Sequence, residues 1–457
     1  MSHSIPSHDD PSPAYRPNAA IGTSIGLRRE MACRVCRRIL NTYFDATGRL
    51  RHLHPAARTS YDHDPDPVPS AEVAGVARSC DFCSDRYPVF RLDSGPVQAL
   101  ALGEDDSSVH DFGTTWSACI TCTLLAQASR SEALTQRAVT RMGWADPTIA
   151  AEAVRAIHAG VVGTLRPGRT LLTDVHWPHS PVTATATALP KVRDRLTALL
   201  TGPDRMDLLE VRQRQDIAVS LQGGRLFAVD DEFTDLACTA ATDLPATVLD
   251  VEDLPAPHGL LLWANPVAGG VCAASWASTD EGIRIVSYRG VGGSAGVADG
   301  PAVQALREQV GWLIPVSHRL LVHGEAITCV DGALAVLAAT WLLIAQRTGE
   351  TVSVAADRSI RKAYARTRRP APEVRLVRIR GRQATGPRET RRGEAREPQA
   401  QRRWISGYWR SQPHGPGRAL RKDIYVFAYL RGPADAPIAA STTVRVLAGE
   451  RRRPKPQ

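Results

Sequence analysis

The spacing of apolar positions divides the chain into stretches of different character. Residues 1–30 have no apolar period and little apolar surface to bury, so disorder is expected there. Residues 123–141, 148–165 and 191–221 place apolar side chains at helical spacing, with breaks at Pro167-Gly168 and Gly202-Pro203. Short apolar runs bounded by turn residues, at 225–229, 259–263, 271–276 and 283–288, read as strands. Residues 303–314 and 331–346 read as largely buried helices. Residues 373–380 alternate in part and predict a strand with an arginine face. Residues 381–403 read as a charged linker, and strand-like runs follow at 424–430 and 442–447.

These elements predict an α+β, multidomain chain. A disordered start, 1–30, precedes a zinc-stabilised module of treble-clef or ribbon type at 31–144. A helical segment follows at 145–225 and a mixed α+β domain at 226–357. A basic segment and linker, 358–403, leads to a small β module with a basic tail, 404–457. At 457 residues the chain is long enough for about two to four domains, each with its own core.

Charge sharpens this picture. The last hundred residues, from Arg358, hold 26 Lys and Arg against 7 Asp and Glu, a net of +19. The remaining 30 basic and 40 acidic residues leave the rest of the chain at −10. An acidic body with a basic end is a footprint of nucleic-acid binding, and a solvated tail is the plainer alternative. The start has no apolar signal region, and the longest apolar run, 333–345, is too short to span a bilayer. The expected location is the cytoplasm, with no membrane partner. Thiols there stay reduced, and paired cysteines are read as metal ligands before disulfides.

Three C-x-x-C pairs lie in the first third of the chain. Such a pair in a tight turn aims both sulfurs at one ion, and two pairs complete a tetrahedral thiolate site suited to zinc. Cys80, Cys83, Cys119 and Cys122 are therefore the first expected site. Cys119 opens a helical pattern, where thiolates gain from the positive helix end. Cys33 and Cys36 have no further C-x-x-C partner, so histidines are expected to complete their site. His54 and His63 are the choice, with His52 as the alternate. About two Zn2+ ions per chain follow from this count.

Other motifs are weaker. Gly290-Val-Gly-Gly-Ser-Ala-Gly296 lacks the Gly-Lys-Ser/Thr ending of a phosphate loop and reads as a surface loop. Asp230-Asp231-Glu232 reads as a hydrated turn. Cys238, Cys272 and Cys329 read as core thiols, the last at the edge of an apolar helix. No catalytic residue is assigned.

The terminal module interleaves aromatics with arginines. Arg410, Arg418, Arg421 and Lys422 are candidate phosphate contacts, and Tyr408 and Trp409 candidate base-stacking platforms. A small β core built from Trp404, Trp409, Tyr425 and Phe427 is the competing reading. The run from Trp404-Ile-Ser-Gly-Tyr-Trp-Arg-Ser-Gln412 through Ile424-Tyr-Val-Phe-Ala-Tyr-Leu-Arg-Gly-Pro433 resembles the tail of an uncharacterised actinobacterial family with phage- and plasmid-associated members. Cys80-Asp-Phe-Cys-Ser84 and Trp116-x-x-Cys-x-x-Cys122 resemble zinc-ribbon-like segments of the same bacteria. The resemblance implies metal binding and leaves activity open.

The combined expectation is a non-enzymatic, zinc-binding accessory or regulatory protein that contacts nucleic acid through its basic end without reading sequence. The alternative is a protein–protein adaptor of a phage or plasmid system. A third reading is an enzyme with its site in the central domain.

Overall fold

A computed structural model describes residues 15–16, 30–45, 47–54, 62–73, 76–85, 88–102, 107–142, 147–173, 184–291, 301–346, 349–380, 402–433 and 437. The chain is mixed α and β, with nine α-helices and several sheets among the described residues. None of these helices is long and apolar enough to cross a membrane. The chain divides into two compact units, each assembled from separated segments. The first comprises 1–229, 256–323 and 353–376, and the second 230–255, 324–352 and 377–457.

Besides the small two-stranded sheet of Met31–Cys33 and Pro67–Pro69, the first unit contains two large sheets. One runs in the order Leu50–Leu53, Asn41–Phe44, Ser107–Ala118, Phe90–Leu102, Thr170–Leu171, Arg205–Met206. Its spine is the long antiparallel hairpin of Phe90–Leu102 and Ser107–Ala118, with Leu92 opposite Trp116 and Phe90 opposite Ala118. Tyr15–Arg16 pairs with the same hairpin at Leu100 and Ala101, so these two residues depart from the expected disorder. The other sheet sets Leu313–Val322, Gly282–Gly290, Val271–Thr279 and His258–Trp263 antiparallel in that order, with Arg225–Val229 parallel to His258–Trp263. His258–Trp263 and Val271–Thr279 are buried along most of their length, because side chains from both faces meet other elements. Helices Leu189–Thr201 and Val211–Gly223 pack on this sheet through Leu196, Leu200, Ile217 and Leu221.

The second unit packs helix Asp231–Ala241 on the apolar helix Ala333–Ile344. The hairpin of Tyr408–His414 and Leu420–Val426 lies on the latter helix, with Trp409 opposite Tyr425. The indole N–H of Trp409 donates to the Ala240 carbonyl at 2.8 Å.

Several expectations change at this level. The continuous pattern over 123–141 is two helices, Ile120–Gln127 and Ser131–Met142, separated at Ser129, whose φ of 56° ends the first. The pattern over 191–221, by contrast, divides into two helices at the expected break, Gly202-Pro203. The helix expected at 303–314 is Pro301–Val310; it stops at Gly311 (φ 81°), and strand Leu313–Val322 begins. Asp230 is a helix N-cap, its carboxylate accepting from the Phe233 N–H at 2.8 Å, where a hydrated turn was expected. Cys238 is only half-buried, and Cys329 is exposed on a short 3-10 turn before the apolar helix. Only Cys272 of these three is a buried thiol. Residues 292–296 of the glycine-rich segment and the run 442–447 lie outside the described residues, as does most of 381–403.

Candidate metal centres

The four-cysteine group begins with a knuckle. The Ser84 N–H donates to the Cys80 carbonyl and the Cys80 N–H to the Asp85 carbonyl, both at 2.7 Å. Ser84 closes this turn in the left-handed region at φ 55°. The turn is so tight that both sulfurs of the C-x-x-C pair face one side. The long hairpin then leaves the knuckle and returns beside it. Asp81 N–H donates to the Ser117 carbonyl at 2.8 Å, and Ser117 N–H donates to the Asp81 carboxylate at 2.6 Å. This exchange sets Cys119, directly after the returning strand, against Cys83, with their Sγ atoms 3.8 Å apart. Cys119 is the N-cap of helix Ile120–Gln127, and Cys122 lies in its first turn.

The four Sγ atoms all lie within 4.8 Å of one another. The residues are 0–4% exposed, so water cannot solvate their charge. Burial pushes the Cys80 thiol well above its ordinary range. Cys119 is held far below it because the Cys122, Cys80 and Cys83 thiols donate to its sulfur, and Cys122 is pushed up by that same anion. In the absence of a cation the group thus holds its charge on one sulfur; a cation among the four donors could hold all of them as thiolates. The Arg137 guanidinium lies 3.9 Å from the Cys119 sulfur and within 3.5 Å of the Asp85 carboxylate, which also pairs with Arg141. Phe82, Leu92, Val97, Trp116, Leu134 and Val161 pack around the cysteines. His158 supports the knuckle from behind. Its ring lies tilted against Phe82, with centroids 5.4 Å apart, and its Nδ1 lies 3.2 Å from the Thr135 hydroxyl. Burial lowers its pKa to about 4 against a hydrogen bond with the Phe82 backbone.

The second group repeats the first knuckle bond for bond. Arg37 N–H donates to the Cys33 carbonyl and Cys33 N–H to the Arg38 carbonyl, both at 2.8 Å, with Arg37 left-handed at φ 60°. Arg34 N–H is bound by the Asp66 carbonyl at 2.8 Å, as Asp81 N–H is by Ser117 in the first knuckle. Strand Met31–Cys33 pairs with Pro67–Pro69, which carries His63 to within 3.5 Å of the Cys33 sulfur through Nε2. Asp62 holds the other ring nitrogen, Nδ1, at 2.8 Å, so Nε2 is the atom presented to a metal. His54 follows strand Leu50–Leu53 and meets His63 edge-on with ring centroids 4.8 Å apart. One donor atom from each of Cys33, Cys36, His54 and His63 lies within 4.8 Å of every other. His52, the alternate, lies on strand Leu50–Leu53 and is not a member of the group. Burial raises the Cys33 thiol, but N–H groups of Asp66, Cys36 and Val35 and the His54 ring outweigh it and bring the pKa down to about 6.

Each group therefore offers four donors of a type and spacing that could hold a metal ion, and each is closed by protein ligands. Sequence reasoning missed the supporting residues Arg137, Asp62, Asp81 and His158. Only the Asp62-His63 neighbourhood and the i, i+4 spacing of Arg137 and Arg141 were available to suggest them.

The candidate phosphate contacts Arg410, Arg418, Arg421 and Lys422 are all exposed in the second unit. Tyr408, Arg410 and Lys422 share one face of the hairpin, since Tyr408 pairs with Val426 and Arg410 with Ile424, in step with Gln412 and Lys422. Tyr408 is exposed, whereas Trp409 packs edge-on against Tyr425, with centroids 5.3 Å apart. Tyr425 in turn meets Phe427, so three of the four aromatics proposed for a β core pack together. The side chain of Trp404 lies outside the described residues.

No known protein-family model, curated protein or solved structure matches the chain.

Proposed function

We propose that this is a non-enzymatic zinc protein in which two structural ions brace the N-terminal part of the first unit, and the basic C-terminal region contacts nucleic acid. The observation that carries the zinc reading is the pair of complete donor sets, Cys80, Cys83, Cys119, Cys122 and Cys33, Cys36, His54, His63, each gathered within 4.8 Å. Four sulfur or nitrogen donors suit tetrahedral zinc, and a closed set leaves no position for a reacting water. Knuckle, hairpin and a helix carrying the second pair form a treble-clef arrangement in this reading. Zinc would supply a fixed tetrahedral crosslink where the hydrophobic cluster is small.

The nucleic-acid part rests on the +19 balance after Asp357 and the exposure of Arg410, Arg418, Arg421 and Lys422. Tyr408 is the aromatic available to stack on a base, and Trp409 serves the hairpin core. Phosphate contacts by guanidinium forks carry no base information, so the expected binding is insensitive to sequence. The adaptor reading keeps the same zinc module and assigns the basic end to an acidic protein.

Metal analysis of chelator-free protein tests the first claim. Two zinc ions per chain are expected, and a protein free of zinc would overturn it. Binding of labelled oligonucleotides by the full chain and by a chain ending at Asp357 tests the second. Equal affinity of the two, or no binding at low salt, would favour the adaptor reading.

A further inference from the structure

Helix Arg358–Arg366, in the first unit, carries a second charged surface that the hairpin reading does not use. One side of it is anchored. Ile360 and Tyr364, one turn apart, are buried with Ala356 against Ala188 and Ala371. The Tyr364 hydroxyl donates to the Asp194 carboxylate at 2.5 Å and accepts from Arg193 at 2.5 Å. Asp357, the N-cap, donates its N–H to the Thr187 carbonyl at 3.1 Å. The helix is thereby fixed in place before any ligand arrives.

The opposite side is cationic. Arg358, Arg361, Lys362 and Arg366 fall at i, i+3, i+4 and i+8, an arc of about 140° at 3.6 residues per turn. Arg368 and Arg369 continue past the helix end, and all six are exposed. No acidic residue occurs from Arg358 to Arg369. Among the described residues none of Arg358, Arg361, Lys362, Arg366 or Arg368 forms an ion pair. Unneutralised charge held on a rigid ridge is costly to the free protein and is relieved by a polyanion.

We infer that this ridge is a docking site for the phosphate backbone of nucleic acid, and that Arg358, Lys362 and Arg366 are its principal contacts. The inference rests on the nucleic-acid reading above and adds a surface to it. From Arg358 to Arg366 the ridge spans about 12 Å, along which a duplex presents about seven backbone charges. Five of the six cations are arginine, whose fork matches phosphate oxygens in pairs. A membrane surface is a poor match. The exposed face holds no large apolar side chain to enter a bilayer, and the two that the helix owns are committed to Asp194, Arg193 and the alanines behind them.

The test is fluorescence anisotropy with a labelled single strand and a labelled duplex, titrated over a range of salt against zinc-loaded, full-length protein. Three variants are compared with the natural chain: R358Q/K362Q/R366Q, the charge-conserving R358K/K362R/R366K, and the hairpin variant R410Q/R418Q/R421Q/K422Q. The glutamine ridge variant is expected to bind at least about tenfold more weakly at moderate salt. Its log–log salt slope should be shallower by about 2 to 3, since each lost duplex contact removes about 0.9. The charge-conserving variant should keep the slope, and melting temperature should match in all four proteins because Ile360 and Tyr364 are untouched. If the glutamine ridge variant binds as the natural chain does while the hairpin variant fails, the ridge inference falls and the nucleic-acid reading stands. If the natural chain binds anionic vesicles and no oligonucleotide, both fall.

Discussion

Cys119→Ser separates a metal ligand from an ordinary buried thiol by the sign of its effect. Cys119 is the N-cap of helix Ile120–Gln127, with extended backbone (φ −68°, ψ 163°) and no capping bond from its side chain. Serine is a strong N-cap residue, and its hydroxyl could accept from a first-turn N–H, a gain of about 1 kcal/mol. Without metal, the exchange would therefore be neutral or mildly stabilising. With zinc the balance reverses. A structural zinc contributes roughly 10–16 kcal/mol of apparent binding free energy, spread over four ligands. Loss of one thiolate then costs on the order of 3 kcal/mol, about 2 after the cap gain, against a whole-domain stability of roughly 5–15 kcal/mol. The assay is hydrogen exchange of peptides covering 88–127, with zinc counted on the same samples. Cys119→Ala, which offers neither ligand nor cap, should be worse than Cys119→Ser by about the cap energy. Protection in Cys119→Ser equal to the natural protein, with zinc content unchanged, would refute the reasoning.

Three further outcomes are expected. A chelator should remove one zinc well before the other, because only Cys33 of the second group is buried while all four cysteines of the first are; a metallochromic dye reads the two phases, and a Cys33→Ser protein that keeps the fast phase would contradict this. His158 should contribute to acid sensitivity. Its folded pKa is lowered from 6.5 to about 4 by burial, so the unfolded chain takes up the proton first; the stability is complete above about 6.5 and lost as pH falls toward 4, by on the order of 3 kcal/mol. Denaturant midpoints across that interval should fall less steeply in His158→Gln, and an unchanged slope would count against it. Gly259→Ala should destabilise the first unit by about 1–3 kcal/mol, because the new Cβ would lie 2.4 Å from Trp276 Cζ2 and the indole is tethered to the Ala256 carbonyl; a denaturation midpoint equal to that of the natural chain would show that the ring can yield.

Residue chemistry and local spacing were enough to announce the candidate cysteine donors. A C-x-x-C pair constrains its own turn, so the knuckles at Cys33 and Cys80 follow from a few consecutive residues. The central strands were legible for the same reason: 225–229 and 259–263 are short apolar runs with turn residues at their ends, and burial on both faces leaves them no other use. The charge split between the body and the last hundred residues is likewise a property of composition alone.

Long-range pairing decided the rest. Spacing alone left His52 as an alternate to the chosen His54 and His63; strand Met31–Cys33 pairing with Pro67–Pro69 brings His63 to Cys33, and the end of strand Leu50–Leu53 delivers His54. Each compact unit is assembled from separated segments: Arg225–Val229 pairs parallel with His258–Trp263, and a parallel pair needs a long intervening connection. Cys329 sits beside an apolar helix in sequence yet lies in the open, since a helix-side residue is buried only if another element covers it. The basic ridge shows the same division. Its arginines are counted in the sequence, but only the burial of Ile360 and Tyr364 against Ala188 and Ala371 determines which way they face.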